Sequence, residues 1–466
     1  MKKELLISFF SYGLTSALSK FIGVLLLPIY TRYYSNADYG VIDMIQTIIT
    51  IVMVFGTLQL ETSLQRYYYE VEEKDRKTIA STILIFTSVI SLLLTVIIQL
   101  FASGISLLCF DTEAYASSLI VAAITIPLTT ISVVSFIIIR YMKKPLFFAG
   151  ITLLQVIVTA LSTLYFIHID VGVLAVFYGQ GLGYLVLVII QFIYLRHFYS
   201  YSFNINFLKK MLAFALPQFP ARLGSVASSY LNRFVMLGVL SISAIGIYSV
   251  ALKCASAISI LQAAFIMSWF PFFYEKLKEP NHKELFKSFF TYVCLGVGIV
   301  VAFMSLFAKE ILIIIASAEF FEAYRLVGGL SLYLSLFIVK EYIDMGPRIT
   351  KRTLYISYTY VITAIINFVL LYYFTPLTGL EGVVWSMVFT NIFLIVMSWW
   401  ISERLYYIGF SKIIFVIFIV TALVLVLMTM YWEPSLFIRI SLFSVFLVLG
   451  GIQYLRLKNH EILNKG

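Results

Sequence analysis

Long apolar segments separated by short polar connections follow one another along the whole chain. A membrane-spanning helix needs about 20 mostly apolar residues, and a window of about 19 residues separates such segments from their connections. The pattern predicts fourteen spans, at residues 5–31, 41–64, 78–102, 117–139, 147–167, 173–195, 211–237, 244–272, 289–308, 326–345, 354–374, 382–401, 413–431 and 436–455. We therefore expect an all-α polytopic membrane protein.

The composition excludes a soluble protein. Of the 466 residues 61% are hydrophobic and 12% are charged, against about 45–50% and about 25% in ordinary soluble domains. The three cysteines lie far apart without the spacing of metal ligands, so we expect neither a disulfide framework nor a metal site.

The positions of the cations predict the orientation of the chain. With the N-terminus in the cytoplasm, 24 of the 33 Lys and Arg residues fall in cytoplasmic segments, 4 in outer segments and 5 within spans. Lys and Arg in short loops resist translocation, so both termini are expected to be cytoplasmic. The net charge of +10 then reflects topology, and no nucleic acid is needed to explain it.

The two halves of the chain share local patterns. Three patterns recur in the same order, at offsets of 206, 208 and 210 residues: 35–41 with 241–247, 140–147 with 348–355, and 171–173 with 381–383. Because six spans separate the copies, the repeats are parallel, which predicts two six-helix lobes around a central cavity. The predicted divisions are an N-lobe at 1–195, a cytoplasmic linker at 196–210, a C-lobe at 211–403, and two further spans with a tail at 404–466.

Four cations within predicted spans are candidates for binding a substrate. They are Lys20 in span 1, Arg222 and Arg233 in span 7, and Lys253 in span 8. A charge within a span is costly and usually faces a polar cavity or a partner. Spans 1 and 7 contain no acid, so a cavity lined by them favours an anionic cargo such as a phosphate or pyrophosphate group.

Two carboxylates on a polar face of span 2, Asp43 and Glu61, are candidates for ion coupling. A buried carboxylate that alternately binds H⁺ or Na⁺ can favour one conformation over another. Two structural alternatives stay open: Lys253 as an ion-pair partner of Glu61 or Asp43, and Arg233 extending to the outer end of span 7. Apart from a coupling ion, no cofactor is expected.

Several segments resemble a known family. Residues 26–35, 38–43 and 65–70 look like the first two spans of bacterial polysaccharide exporters, and residues 208–217, 232–234 and 246–253 are similar to that family's seventh and eighth spans. The family is that of the lipid-linked oligosaccharide flippases of the O-antigen repeat-unit type, within the multidrug, oligosaccharidyl-lipid and polysaccharide exporter superfamily.

The resemblance implies a flippase for an undecaprenyl-pyrophosphate-linked oligosaccharide repeat unit, acting by ion-coupled alternating access during surface polysaccharide synthesis. It implies a location in a bacterial cytoplasmic membrane. The implied partners are the lipid-linked oligosaccharide, membrane lipids, a polysaccharide polymerase and assembly proteins. One alternative is a multidrug extruder of the same superfamily. Another alternative is a membrane-embedded polysaccharide-processing enzyme. The outer loops are short and the sequence has no nucleotide or metal motif, so no enzymatic activity is expected.

Overall fold

A computed structural model describes residues 26–68, 70–200, 202–352 and 354–463, and within these ranges the chain is helical without a β-strand. Most of the first predicted span, with the candidate Lys20, lies outside the described residues. The helices begin with α1 (Leu27–Tyr33), α2 (Asn36–Thr57), α3 (Leu60–Tyr67), α4 (Glu73–Leu100), α5 (Ala102–Phe110), α6 (Ala116–Ala123), α7 (Thr125–Tyr141), α8 (Pro145–His168), α9 (Leu174–Leu195), α10 (Ile205–Ala215) and α11 (Phe219–Val239).

The second half of the chain continues in the same way. Its helices are α12 (Ile242–Ala255), α13 (Ile258–Lys276), α14 (His282–Leu306), α15 (Ala308–Ile315), α16 (Tyr324–Ile343), α17 (Met345–Ile349), α18 (Leu354–Thr378), α19 (Leu380–Leu405), α20 (Lys412–Tyr431) and α21 (Leu436–Leu463). Short 3₁₀ helices occupy Leu216–Gln218 and Ala318–Ala323. Lipid offers no partners to backbone amides and carbonyls, so a chain this apolar satisfies them internally by forming helices.

The predicted class of an all-helical membrane protein is confirmed. Within the described ranges, twelve helices are long and apolar enough to cross a membrane. The last two illustrate the agreement, since the apolar segments at 413–431 and 436–455 correspond to α20 and the greater part of α21.

Spans 2, 4, 7 and 8 are each divided into two helices in the structure; span 4 divides at Ile124, between α6 and α7. Span 7 is divided into α10 and α11, because Pro217 lies in a 3₁₀ turn and Pro220 in the first turn of α11, where a missing amide hydrogen is tolerated. Span 2 is divided after α2, where Leu58 and Gln59 adopt left-handed backbone angles with φ of 46° and 60°. Span 8 is divided between α12 and α13 at residues 256–257.

The chain forms two compact units. Residues 33–246 belong to the first, and residues 27–32 with 247–463 to the second. The predicted linker at 196–210 lies within the first unit, because α10 packs against α3 and α4. The lobe boundaries themselves rest on the sequence repeat and stay a prediction.

Polar contacts hold connections in each unit. In the first unit the Tyr33 hydroxyl donates to Asp170 at 2.5 Å, and this hydrogen bond to a carboxylate, together with burial, raises the pKa of Tyr33 to about 12. In the second unit Lys309 donates to Glu433, which lowers the pKa of the Glu433 carboxyl. Each contact joins two segments that are far apart along the chain.

The helices α2 and α12 start in the same way. The Ser35 hydroxyl accepts a hydrogen bond from the amide of Asp38 at 3.1 Å, and the Ser241 hydroxyl accepts one from the amide of Ala244 at 3.2 Å. Each serine satisfies one of the amides that the first turn of a helix leaves without a partner. Both pairs are related by the offset of 206 residues that the sequence repeat predicts.

The first turns of these two helices also pack against each other through a pair of glycines. A methyl group at Gly40 would lie 2.0 Å from the carbonyl oxygen of Ile242, and one at Gly246 would lie 1.8 Å from that of Asn36. Gly40 and Gly246, like Asn36 and Ile242, are 206 residues apart, so the contact is reciprocal.

We therefore expect Gly40→Ala and Gly246→Ala to destabilise the protein, because each methyl group would meet backbone atoms that cannot move aside without separating the helices. Overpacking of this kind costs about 1–3 kcal/mol, measurable as a lower melting temperature of the purified protein. The matched control is Gly150→Ala on α8, where no atom lies within 4 Å of the new methyl group; it should be neutral or stabilising. Unchanged melting temperatures in both test variants would contradict the tight contact.

Candidate functional site

The polar faces predicted for spans 2 and 7 meet within the first unit. Near the start of α2, Asp43 contacts Arg233 near the end of α11. Near the end of α2, the ring of Phe55 lies 5.4 Å from that of Phe219 at the start of α11. The two helices therefore run antiparallel, side by side.

Arg233 makes several polar contacts. Its Nε donates to Asp43 Oδ2 at 3.0 Å, and its Nη1 donates to the Ser229 carbonyl at 2.9 Å and to Asn232 Oδ1 at 3.0 Å. The guanidinium also lies 5.2 Å from the ring centre of Tyr230. The side chain of Arg233 is 6% exposed and that of Asp43 is 19% exposed. A residue predicted to bind substrate and a residue predicted to couple ions therefore form a largely buried ion pair.

A different face of α11 is open. Arg222, Ser225 and Ser229 are exposed and follow one another at intervals of three and four residues, which places them on one side of the helix. Arg222 is eleven residues from Arg233, or about 16 Å along the axis at about 1.5 Å per residue. The two arginines therefore cannot bind the same phosphate group from their own turns of α11.

The two candidate acids have different surroundings. Asp43 accepts a hydrogen bond from Arg233, whereas Glu61 lies in the first turn of α3, beyond the left-handed residues Leu58 and Gln59. Glu61 Oε2 is buried and has no hydrogen-bond partner among the residues that the structure describes. The positive end of the α3 dipole favours its negative charge. The predicted polar face of span 2 is thus divided between two helices.

The remaining candidate that the structure describes, Lys253, is half-buried on α12 in the second unit. The roles of Lys20, Arg222, Arg233 and Lys253 as a common substrate site stay a prediction. In the described part of the chain, no three His, Cys, Asp or Glu side chains come together as metal ligands would.

A second buried charge cluster in the second unit was not among the predicted site residues. Lys340 Nζ lies 2.6 Å from Asp344 Oδ2, with the two side chains 1% and 2% exposed, and 3.9 Å from the ring centre of Tyr360. Arg348 donates to Glu341 at 2.6 Å. The spacing of four residues between Lys340 and Asp344 fits an ion pair on one helix, but the sequence does not reveal that both are buried.

Comparison with solved structures identifies the class of fold. The chain is similar to the lipid II flippase MurJ in its inward closed conformation, with a TM-score of 0.72, 15% identity, and 99% of each chain covered. A multidrug resistance MATE family transporter, facing inward, matches with a TM-score of 0.60 and 15% identity, over 87% of this chain and 98% of the other. A transporter from Pyrococcus furiosus matches with a TM-score of 0.53 and 16% identity, over 88% and 97%. The chain therefore has the same fold as these three proteins.

The sequence itself identifies the family. The profile of the polysaccharide biosynthesis protein family matches residues 5–277, which is more than half of the chain. The protein belongs to this family, as the resemblance of its motifs predicts. A search of curated proteins gave no match.

The ion pair between Arg233 and Asp43 predicts a specific pattern of stability. Arg233→Gln alone should lower the free energy of unfolding by about 3–5 kcal/mol, because it leaves a buried carboxylate without its partner. The double variant Arg233→Gln/Asp43→Asn should recover most of that loss, since neither charge then remains. Thermal unfolding of the purified protein measures both effects.

The exposed pair Lys309 and Glu433, whose side chains are 44% and 45% exposed, provides the control. Lys309→Gln should cost less than about 1 kcal/mol, as usual for surface ion pairs. If the double variant lost as much free energy of unfolding as the two single variants together, the Arg233 and Asp43 side chains would be energetically independent.

Proposed function

We propose that this protein is a flippase that moves an undecaprenyl-pyrophosphate-linked oligosaccharide repeat unit from the cytoplasmic to the outer leaflet for surface polysaccharide synthesis. The observation that carries the proposal is the open face of α11 with Arg222, Ser225 and Ser229, on a helix without an acidic residue. An Arg guanidinium and nearby hydroxyls suit a pyrophosphate, because Arg donates paired, charge-assisted hydrogen bonds to phosphate oxygens.

The proposal combines this chemistry with the family and the fold. The matched family takes its name from polysaccharide biosynthesis, and one of the similar structures is that of the lipid II flippase MurJ. In the proposed cycle the sugar-pyrophosphate head binds at the open face of α11 while the polyprenyl tail stays in lipid. Alternating access then exposes the head on the outer side.

The contact of Asp43 with Arg233 suggests how an ion drives this cycle. While Asp43 is ionised, it neutralises Arg233, which is then not available to an anionic cargo. H⁺ or Na⁺ binding at Asp43 would weaken the ion pair and release the guanidinium. Glu61, with its unbonded buried oxygen within the described residues, is the second candidate for coupling.

The proposed location is the cytoplasmic membrane of a bacterium, with both termini in the cytoplasm as the distribution of cations indicates. Membrane lipids are its surroundings, and a polysaccharide polymerase and assembly proteins are its proposed partners. No nucleic acid is involved. We propose a transport protein without enzymatic activity, since the family and the similar folds are those of exporters.

A multidrug extruder is the second candidate function, because one of the similar structures is a multidrug resistance transporter. A deletion strain separates the two candidates. Loss of the flippase should cause the lipid-linked oligosaccharide to accumulate on the cytoplasmic leaflet and surface polysaccharide to disappear. Unchanged polysaccharide together with raised drug sensitivity would favour the extruder.

In that deletion strain, Arg222→Ala should restore surface polysaccharide at least about tenfold less well than the unaltered protein. The reason is the loss of charge-assisted hydrogen bonds, which contribute about 1.5–3 kcal/mol each. Arg222→Lys should restore it partly, because the charge remains without the paired geometry. Arg196→Ala, which removes an exposed cation next to α9, is the control, and protein levels are compared by immunoblot. Full export by Arg222→Ala would refute a role of Arg222 in cargo binding.

Asp43→Asn tests the coupling. Its side chain is permanently neutral, so the remaining translocation should no longer respond when an ionophore dissipates the proton or sodium gradient. Translocation by the unaltered protein, followed by access of an external enzyme to the sugar, should fall under the same treatment. Glu70→Gln, which alters an exposed acid, should keep the response. An Asp43→Asn variant that still depends on the gradient would remove Asp43 from the coupling mechanism.

A further inference from the structure

A cavity of about 580 Å³ lies between α19 and α20 in the second unit, around the loop that connects them. The helix α20 packs mainly against α14 and α16, so the ends of α19 and α20 next to the loop leave room between them. The lining residues are Val396, Trp399, Trp400, Glu403, Arg404, Tyr407, Gly409, Phe410, Lys412, Phe415 and Val416. None of them belongs to the candidate site described above.

The charged side chains that line this cavity carry an excess of positive charge. The Glu403 carboxylate accepts hydrogen bonds from the backbone amides of Gly409 at 3.0 Å and Phe410 at 3.3 Å, so its oxygens serve to hold the loop. Arg404 and Lys412 are exposed, and neither forms an ion pair with any residue in the described ranges. Two cations therefore face the cavity with no carboxylate bound to them.

The position of Arg404 is defined by an aromatic ring. Its guanidinium carbon lies 3.9 Å from the ring centre of Trp400, a cation–π contact that orients the side chain. The indole of Trp399, whose ring centre is 5.3 Å from that of Phe415, closes the inner side of the cavity. The guanidinium is thus held at the rim above an aromatic floor.

The walls of the cavity are apolar and continue along the helices. Val396 and Trp400 on α19 and Val416 on α20 are more than half exposed, and they lie away from the loop towards the middle of each helix. A ligand with a charged head at the loop and a hydrocarbon chain along the helices would contact the cations and these apolar side chains at the same time. Trp, Tyr, Arg and Lys at the end of a span are the residues that lie at the level of lipid headgroups.

We propose that this cavity binds an acidic glycerophospholipid of the surrounding bilayer, with its phosphate between Arg404 and Lys412 and an acyl chain against Val396 and Val416. Basic pockets between membrane helices bind anionic lipid headgroups by this chemistry. A free phosphate would use the cations but leave the apolar walls uncovered, which is why the proposal names the lipid. The distribution of cations predicts that this loop faces the cytoplasm, so the lipid comes from the inner leaflet.

Native mass spectrometry of the purified full-length protein tests the proposal. The protein is released from mixed vesicles of phosphatidylglycerol and phosphatidylcholine with identical acyl chains, and the retained lipid is counted. We expect phosphatidylglycerol to be retained in preference to phosphatidylcholine, and Arg404→Ala/Lys412→Ala to retain at least about fivefold less of it. The double variant Lys351→Ala/Arg352→Ala, which removes two exposed cations before α18, should retain as much as the unaltered protein.

A second variant keeps the test decisive if removal of both cations impairs folding. Val416→Trp fills the cavity without changing a charge, and it should lower phosphatidylglycerol retention as well. Equal retention of the two lipids by the unaltered protein, or undiminished retention by both test variants, would overturn the proposal. Displacement of phosphatidylglycerol by millimolar inorganic phosphate would also overturn it, because it would assign the cavity to a free anion.

Discussion

A charge buried in so apolar a chain requires a partner, and this requirement determines which helices lie together. Arg233 on α11 finds Asp43 on α2, at a separation of 190 residues. Arg439 on α21 donates to both carboxylate oxygens of Glu310 and to the Leu306 carbonyl, which fixes the last helix against α14 and α15. Because an unpaired ion costs several kcal/mol in such surroundings, arrangements that separate these partners are excluded.

The need of a buried charge for a partner also distinguishes Arg233 from Arg222, two cations for which the sequence predicts the same role. Arg233 is neutralised within the structure, whereas Arg222, on another face of the same helix, is exposed. Among the residues that the structure describes, Arg222 forms no ion pair. In the proposed cycle, cargo binding by Arg222 would therefore break none, whereas cargo binding by Arg233 would compete with Asp43. In the proposed cycle, a coupling ion that binds Asp43 would therefore change how many cations α11 offers.

The membrane-spanning helices could be predicted from the sequence because their length and apolar composition define them. For example, the predicted span 413–431 differs from α20 (Lys412–Tyr431) by one residue. The interruption near Pro217 has a local cause, since Pro217 lies in the 3₁₀ turn and Pro220 in the first turn of α11. The breaks at 58–59 and 256–257 involve neither glycine nor proline, so local sequence gives no signal for them. The pairing of Asp43 with Arg233 could not be predicted either, since polar faces show that two helices seek partners but not which residues meet.

The start of α2 combines the two contacts on which the proposed cycle depends. Gly40 packs against the first turn of α12, and Asp43, one turn further on, binds Arg233 at the end of α11. The helices α11 and α12 are joined only by Leu240 and Ser241. Neutralising Asp43 would therefore loosen one side of this three-helix junction, while the glycine contact, which involves no charge, holds the other. In the proposed cycle the coupling ion would therefore act on one side of this junction only, because the other contact involves no charge.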